Sequence, residues 1–173
     1  MASNSLTLAD VPDLRAPGLS LSQQERHTIA LPLTGAVFDV LVEVFQRRLV
    51  NARFIGRDLD DLARTRRGDA PLKEVQAGFD SAYVGKHDAF KAALLDARDY
   101  VGHLLAGSWR QLGWDVTYSG VAAAMLAEDL RLTAGAGRDL LSECLSWRGI
   151  AVGVRGGRPS YSERVAAERA RLW

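Results

Sequence analysis

A histidine stands ahead of an almost wholly apolar run in "HTIALPLTGAVFDVLVEVFQRRLV", residues 27–50. An imidazole at a helix entrance can donate a hydrogen bond or carry a proton, so His27 is the first candidate for chemistry. Asp96, Asp99 and His103 recur at intervals of three and four, which on a helix brings two carboxylates and an imidazole to one face. Such a set could ligate a metal, although the same pattern more commonly makes a solvated face with local ion pairs. Arg98 and His103, in "RDYVGH", pair a phosphate-binding guanidinium with an imidazole able to act as acid or base.

Other chemistries lack their residues. "GVRGG" has neither the lysine nor the spacing nor the preceding strand of a phosphate-cradling loop. No HExxH places two imidazoles on one helical face to hold zinc, so no metal ligand or cofactor is expected within this chain. Nothing marks a nucleophile for a Ser-His-Asp arrangement. His87 falls in "GKHD", read as a hinge or cap, and is expected to be solvated. The single cysteine, Cys144, excludes an internal disulfide and a cysteine-based zinc knuckle, and fits a reducing compartment.

The elements that must position these residues are helical. The chain has 173 residues, 47% of them hydrophobic and 25% charged, enough for one well-filled core. With 22 basic against 21 acidic residues, no overall field would gather nucleic acid or an anionic membrane. The N-terminus has no basic start followed by an apolar run, and the stretch from Ile29 to Val44 is interrupted by Pro32, Thr34, Asp39 and Glu43. A cytoplasmic protein without a membrane span is expected.

No strand-like alternation of useful length occurs, and the predicted class is all-α: one helical bundle with an irregular N-terminal arm and a C-terminal tail helix. Residues 1–21 read as the arm, 22–150 as the helical domain and 151–173 as a Gly/Arg linker with its tail helix. "SQQE" (22–25) has capping-box form, and a short helical turn there would stop before Pro32. The main helix is expected to start at Pro32 or Thr34, with Asp39, Glu43 and Gln46 as a narrow polar stripe facing solvent or a cleft. Further helices are expected over "RDLDDLART", "APLKEVQAGFDSAYV", "DAFKAALLDARDYVGHLLAGSWRQLG", "VTYSGVAAAMLAEDLRLTAGAG" and "RDLLSECLSWRGI". In the long fourth segment, Phe90, Leu94, Leu95, Val101, Leu105 and Trp109 form the expected apolar stripe. Trp109, Trp114 and Trp147 are assigned to core packing. Thr117 or Ser119 should cap the fifth segment, and Gly135 and Gly137 should end it. Arg148 suits a helix's negative end, and Gly149 can take a left-handed cap conformation.

These segments, from Glu25 to Ile150, resemble the C-terminal helical half of bacterial gluzincin-type zinc metallopeptidases, a family distantly related to thermolysin; the densest likeness is the "PLTGAVFD" helix. The resemblance implies that an N-terminal half supplies HExxH and a downstream glutamate, while the all-α half closes the other wall of the cleft. This chain would then be inactive alone. Its partner would be such a catalytic half or another protein, zinc would belong to that half, and a peptide would be substrate only when the half is present. The resemblance gives His27 the role of donating a hydrogen bond to the tetrahedral oxyanion, worth roughly 3 kcal/mol of transition-state stabilisation in a dry cleft. Two departures stand out. Thermolysin has a shorter connection between this histidine and its helix, and Ser22 occupies the place of the aspartate that orients the histidine, leaving Glu25 as a substitute.

"RDYVGH" also resembles the signature of HEPN-type ribonucleases, small all-α domains that would use Arg98 and His103, with each pair meeting its counterpart across a dimer. Against that stands an ordinary ion pair of Arg98 with a carboxylate from another helix and His103 packed at a helix interface. A third reading is a non-enzymatic helical module for protein interaction, docking through the arm or through the tail, where Arg164, Arg169 and Arg171 alternate with alanines before Trp173.

Overall fold

The computed structural model describes residues 6–11, 23–65, 73–114 and 116–152. Among them lie one 3-10 turn, Leu8–Asp10, and six α-helices with no strand: α1 (Gln23–Asn51), α2 (Arg57–Thr65), α3 (Lys73–Tyr83), α4 (His87–Gln111), α5 (Tyr118–Thr133) and α6 (Arg138–Trp147). The all-α bundle expected from the sequence is the fold.

α1 is the central element, packed on α4 and α6, while α5 lies against α4 and α6 and α2 links α1 to α3. The main core joins Val40 of α1 to Val101 and Leu104 of α4, Val121, Met125 and Leu126 of α5, and Leu140, Leu141 and Cys144 of α6. A second cluster gathers Ala36, Ala122, Leu145 and Ile150, with Leu8 and Val152 against it. The opposite end of the bundle closes around Leu49, Ile55, Phe90 and Ala93, where Phe45 meets Phe90 edge-on at 6.2 Å between ring centroids.

α1 does not start at Pro32; it runs through it from Gln23. Proline removes the amide that would bond the carbonyl four residues earlier and ordinarily breaks or kinks a helix. Here side chains supply donors around the break: the Tyr118 hydroxyl donates to the Ile29 carbonyl and Thr34 Oγ1 donates to the Ala30 carbonyl at 2.9 Å. Pro32 itself is buried. Over Thr28–Asn51 the helix is long and apolar enough to cross a membrane by length and composition. That differs from the expectation for Ile29 to Val44, because the helix extends further. Its carboxylates are engaged by arginines of other elements of the bundle.

The polar stripe of α1 faces inward and not to solvent, with Glu43 at the wall of a cleft against α2. Asp39, Glu43 and Gln46 are all buried, and Phe38 is exposed. A helix apolar around most of its circumference gives no outward face to choose by hydropathy. Direction is decided by the partners: Arg148 comes to Asp39, and Arg64 of α2 comes to Glu43 at 3.3 Å. Arg148 is therefore not simply a helix-end charge. Its Nε and Nη2 hold Asp39 Oδ2 at 2.8 and 2.7 Å inside the bundle. Gly149 does take the left-handed conformation, at φ 71°.

α4 buries Phe90, Ala93, Ala97, Val101, Leu104, Gly107 and Ser108, so its buried face is rotated from the expected stripe. Leu94, Leu95 and Trp109 are exposed, as is Trp114; only Trp147 of the three tryptophans assigned to the core packs against it. Small residues on α4 explain the rotation, because they admit large groups from α5: a Cβ at Gly107 would collide with the Glu128 carboxyl.

Thr117 caps α5, its hydroxyl accepting from the Gly120 amide at 3.1 Å. The helix ends before Gly135, with Ala134 left-handed at φ 57°. Asp129 then builds the turn into α6, accepting from Tyr100 Oη at 2.8 Å, Thr133 Oγ1 at 2.7 Å and the Gly137 amide at 3.1 Å.

Part of the arm is docked. Thr7 and Asp10 form a capping box around the 3-10 turn, and the Leu8 amide donates to the Arg148 carbonyl at 2.8 Å. Ser22 of the expected "SQQE" box and the linker and tail from 153 onward lie outside the described residues.

Candidate functional site

His27 belongs to the first turns of α1, not to a turn ahead of it. Its side chain, with those of Glu25 and the neighbouring residues 23–26, lies outside the described ones, as does Ser22. The surroundings of this end of α1 are described. Tyr118, the first residue of α5, reaches across to the Ile29 carbonyl and fixes the α4–α5 connection beside α1. That connection and the last turn of α4 expose apolar side chains: Trp109 is 50% exposed, Trp114 78% and Val116 52%. Among the described residues the bundle thus has a well-packed interior and an exposed apolar end beside the helix that carries His27.

Arg98 and His103 are both exposed on α4. Five residues separate them, about 140° around a helix, so they leave it in different directions. Arg98 donates through Nε and Nη2 to Asp99 Oδ1 at 2.8 and 2.6 Å. Its partner is the adjacent residue, neither a carboxylate of another helix nor a substrate-facing group. Asp99 is engaged by that bond, and no group of three or more His, Cys, Asp or Glu side chains arranged for a metal occurs among the described residues. Asp96, Asp99 and His103 do not fit a zinc site. His87 is exposed, with Nδ1 3.3 Å from Asp88 Oδ1.

A charged cleft that sequence reasoning missed lies between α1 and α2. It encloses about 350 Å³ and is walled by Glu43, Arg47, Asp60, Asp61 and Arg64 among others. Arg64 joins three helices, binding buried Glu43 of α1 and, at 2.5 Å, Glu143 of α6. Its hydrogen bond to Glu143 holds the guanidinium above its usual pKa. Burial pushes the Asp60 carboxyl upward against the pull of Arg64, and Asp60 Oδ1 is buried without a hydrogen-bond partner. The available signal was the one stripe of carboxylates on α1 together with the alternating charges of "RDLDDLART"; what lay beyond reach was that the two face each other.

Another buried carboxylate, Glu128, is held by Arg131 and by Gln111 Nε2 at 3.0 Å. The Arg131 guanidinium keeps it below the usual carboxylate range. Tyr100 is pushed well above the ordinary tyrosine range by burial and by its bond to Asp129. These groups tie helices together.

No known protein family, curated protein or solved structure matches this chain.

Proposed function

We propose that the chain is a helical domain without catalytic activity of its own that docks, through the end where α1 begins, against another protein body. Following the resemblance of the "PLTGAVFD" helix, that body is the zinc-binding half of a metallopeptidase-like protein and the domain forms the second wall of its cleft. The observation that carries the reading is the uncovered apolar end formed by Trp109, Trp114 and Val116 beside the first turns of α1. Large aromatic groups left in water beside an otherwise filled core mark an interaction surface. In this reading His27 faces the shared cleft and donates a hydrogen bond to the oxyanion that forms when water adds to a peptide carbonyl, and the substrate is a peptide.

The supporting internal order is the Asp39–Arg148 pair. It joins the "PLTGAVFD" and "SWRGI" segments, two of those that carry the resemblance, into one packed unit. The test is assembly: Trp114→Glu should abolish association with the zinc-binding half while circular dichroism of the isolated domain stays unchanged. Association at undiminished affinity would remove this end as the docking surface.

A further inference from the structure

We propose that the cavity where α1 gives way to α2 binds a small phosphate monoester with an apolar or aromatic body. The cavity holds about 540 Å³, within the size range of small-molecule sites. Its walls include Arg53 and Arg57, Asn51, and the apolar Val50, Phe54 and Ile55. No carboxylate is among them.

The fold sets this turn firmly. The Arg53 amide donates to the Val50 carbonyl and the Phe54 amide to the Leu49 carbonyl, each at 2.9 Å. Ile55 is then buried with Leu49 and Phe90, and Phe54 packs beside them. The walls are therefore formed before any ligand arrives, which lowers the ordering cost of binding. Arg53 closes the turn in the left-handed conformation, at φ 58°. Glycine takes such a helix end without steric cost, so an arginine is held where the backbone favours no side chain at all.

Charge says which ligand fits. Arg64, Arg98, Arg131 and Arg148 each hold a carboxylate. Neither Arg53 nor Arg57 pairs with one among the described residues, although Arg57 also borders the α1–α2 cleft that contains Asp60 and Asp61. Lys86 adds a third cation, its Nζ 5.6 Å from the centre of the Phe54 ring. Asp58 crowds Gly56 at the rim, where an added Cβ would collide with its carboxylate, and it offsets one of these charges. The remaining two match the dianion of a phosphate monoester, whose oxygens guanidinium groups bind through paired N–H donors. Val50, Phe54 and Ile55 beside the guanidiniums suit an apolar body carried by that phosphate. The cavity lies at the far end of α1 from His27, so this site does not rest on the docking proposed above.

Titration of the isotope-labelled full chain with phenyl phosphate, followed by amide shifts, tests the site. It is done near neutral pH, above the second phosphate pKa of about 6. The shifts should saturate and be largest over residues 51–57. Arg53→Gly and Arg57→Gln should each weaken binding at least about tenfold. Arg53→Gly should melt no lower than the parent, because glycine suits the left-handed turn, so its loss of binding is not a loss of fold. Asp58→Asn should tighten binding, and Arg48→Gln, exposed and outside the walls, should leave it unchanged. Inorganic phosphate, which lacks the ring, should bind more weakly than phenyl phosphate. Shifts that rise without saturating, an Arg48→Gln loss as large as that of Arg57→Gln, or equal affinity for the two phosphates would overturn the proposal.

Discussion

Asp39 and Arg148 lie 109 residues apart and meet in the interior of the bundle, the guanidinium holding one carboxylate oxygen through two nitrogens at 2.8 and 2.7 Å. Both side chains are almost fully buried. The pair fixes the rotation of α1, ties the end of α6 to it, and through the Arg148 carbonyl holds Leu8 of the N-terminal arm.

Removing one partner strands the other charge in the core. Arg148→Ala should therefore lower stability by about 3–5 kcal/mol, read as a lower urea midpoint. A double replacement of Asp39 and Arg148 by leucine should recover much of the loss, because no uncompensated charge remains. A single substitution that leaves the midpoint unchanged would mean the pair contributes nothing to the position of α1.

Gly35 lies under the same guanidinium. A helix-interior glycine replaced by alanine ordinarily gains up to about 1 kcal/mol. Here the new methyl would stand 2.8 Å from Arg148 Cζ and 3.0 Å from Nη1. Gly35→Ala should destabilise by about 1–3 kcal/mol, because the guanidinium is pinned by Asp39 and has little room to yield. Thermal melts of the two proteins decide the sign.

How much of this was legible differs by level. The class and the helical segments followed from the sequence, because periodicity and caps such as Thr117 and Gly149 act locally. The facing of α1 was not legible: with apolar residues nearly all round, the inward direction of Asp39 and Glu43 depends on arginines from distant segments. The uninterrupted course through Pro32 was not legible either; the Tyr118 hydroxyl that bonds the neighbouring Ile29 carbonyl comes from 89 residues away. Trp109 falls on an apolar stripe at helical spacing and Trp114 is a large aromatic, which points both to the core, whereas the α4 face that packs is lined partly by Ala93, Ala97 and Gly107. The α1–α2 cleft was missed because its two walls, each ordinary in sequence, become a site only when packed.

Asp60 gives a pH signature. Burial disfavours its charged form and raises its pKa in the folded protein. The folded state thus binds the proton more tightly than the unfolded state, and stability falls as pH rises through the folded value. The cost is fully present above that value, fades as pH falls from it toward about 3.9, the unfolded aspartate range, and is gone below that. Asp60→Asn should raise the melting temperature at pH 7, with the difference shrinking toward zero below about pH 4. A melting temperature lowered at pH 7 would show that Asp60 contributes more through Arg64 than it loses by burial.

Metal content follows from the donor arrangement. Asp99 is bonded to Arg98, and Asp96 and His103 have no third ligand arranged with them among the described residues. The isolated chain, incubated with zinc and dialysed, should retain far less than one equivalent by elemental analysis and should hydrolyse no peptide. Stoichiometric zinc lost on His103→Ala would return attention to the α4 face.

The central claim is that this domain completes a cleft whose zinc-binding residues lie elsewhere, with His27 as the oxyanion donor. The most direct measurement is kcat and KM for peptide hydrolysis by the domain assembled with its zinc-binding half, comparing His27 with His27→Ala. A bond made mainly in the transition state predicts a fall in kcat of roughly 100-fold with KM nearly unchanged. An unchanged kcat in the assembled variant, or hydrolysis by the isolated chain, would contradict the account.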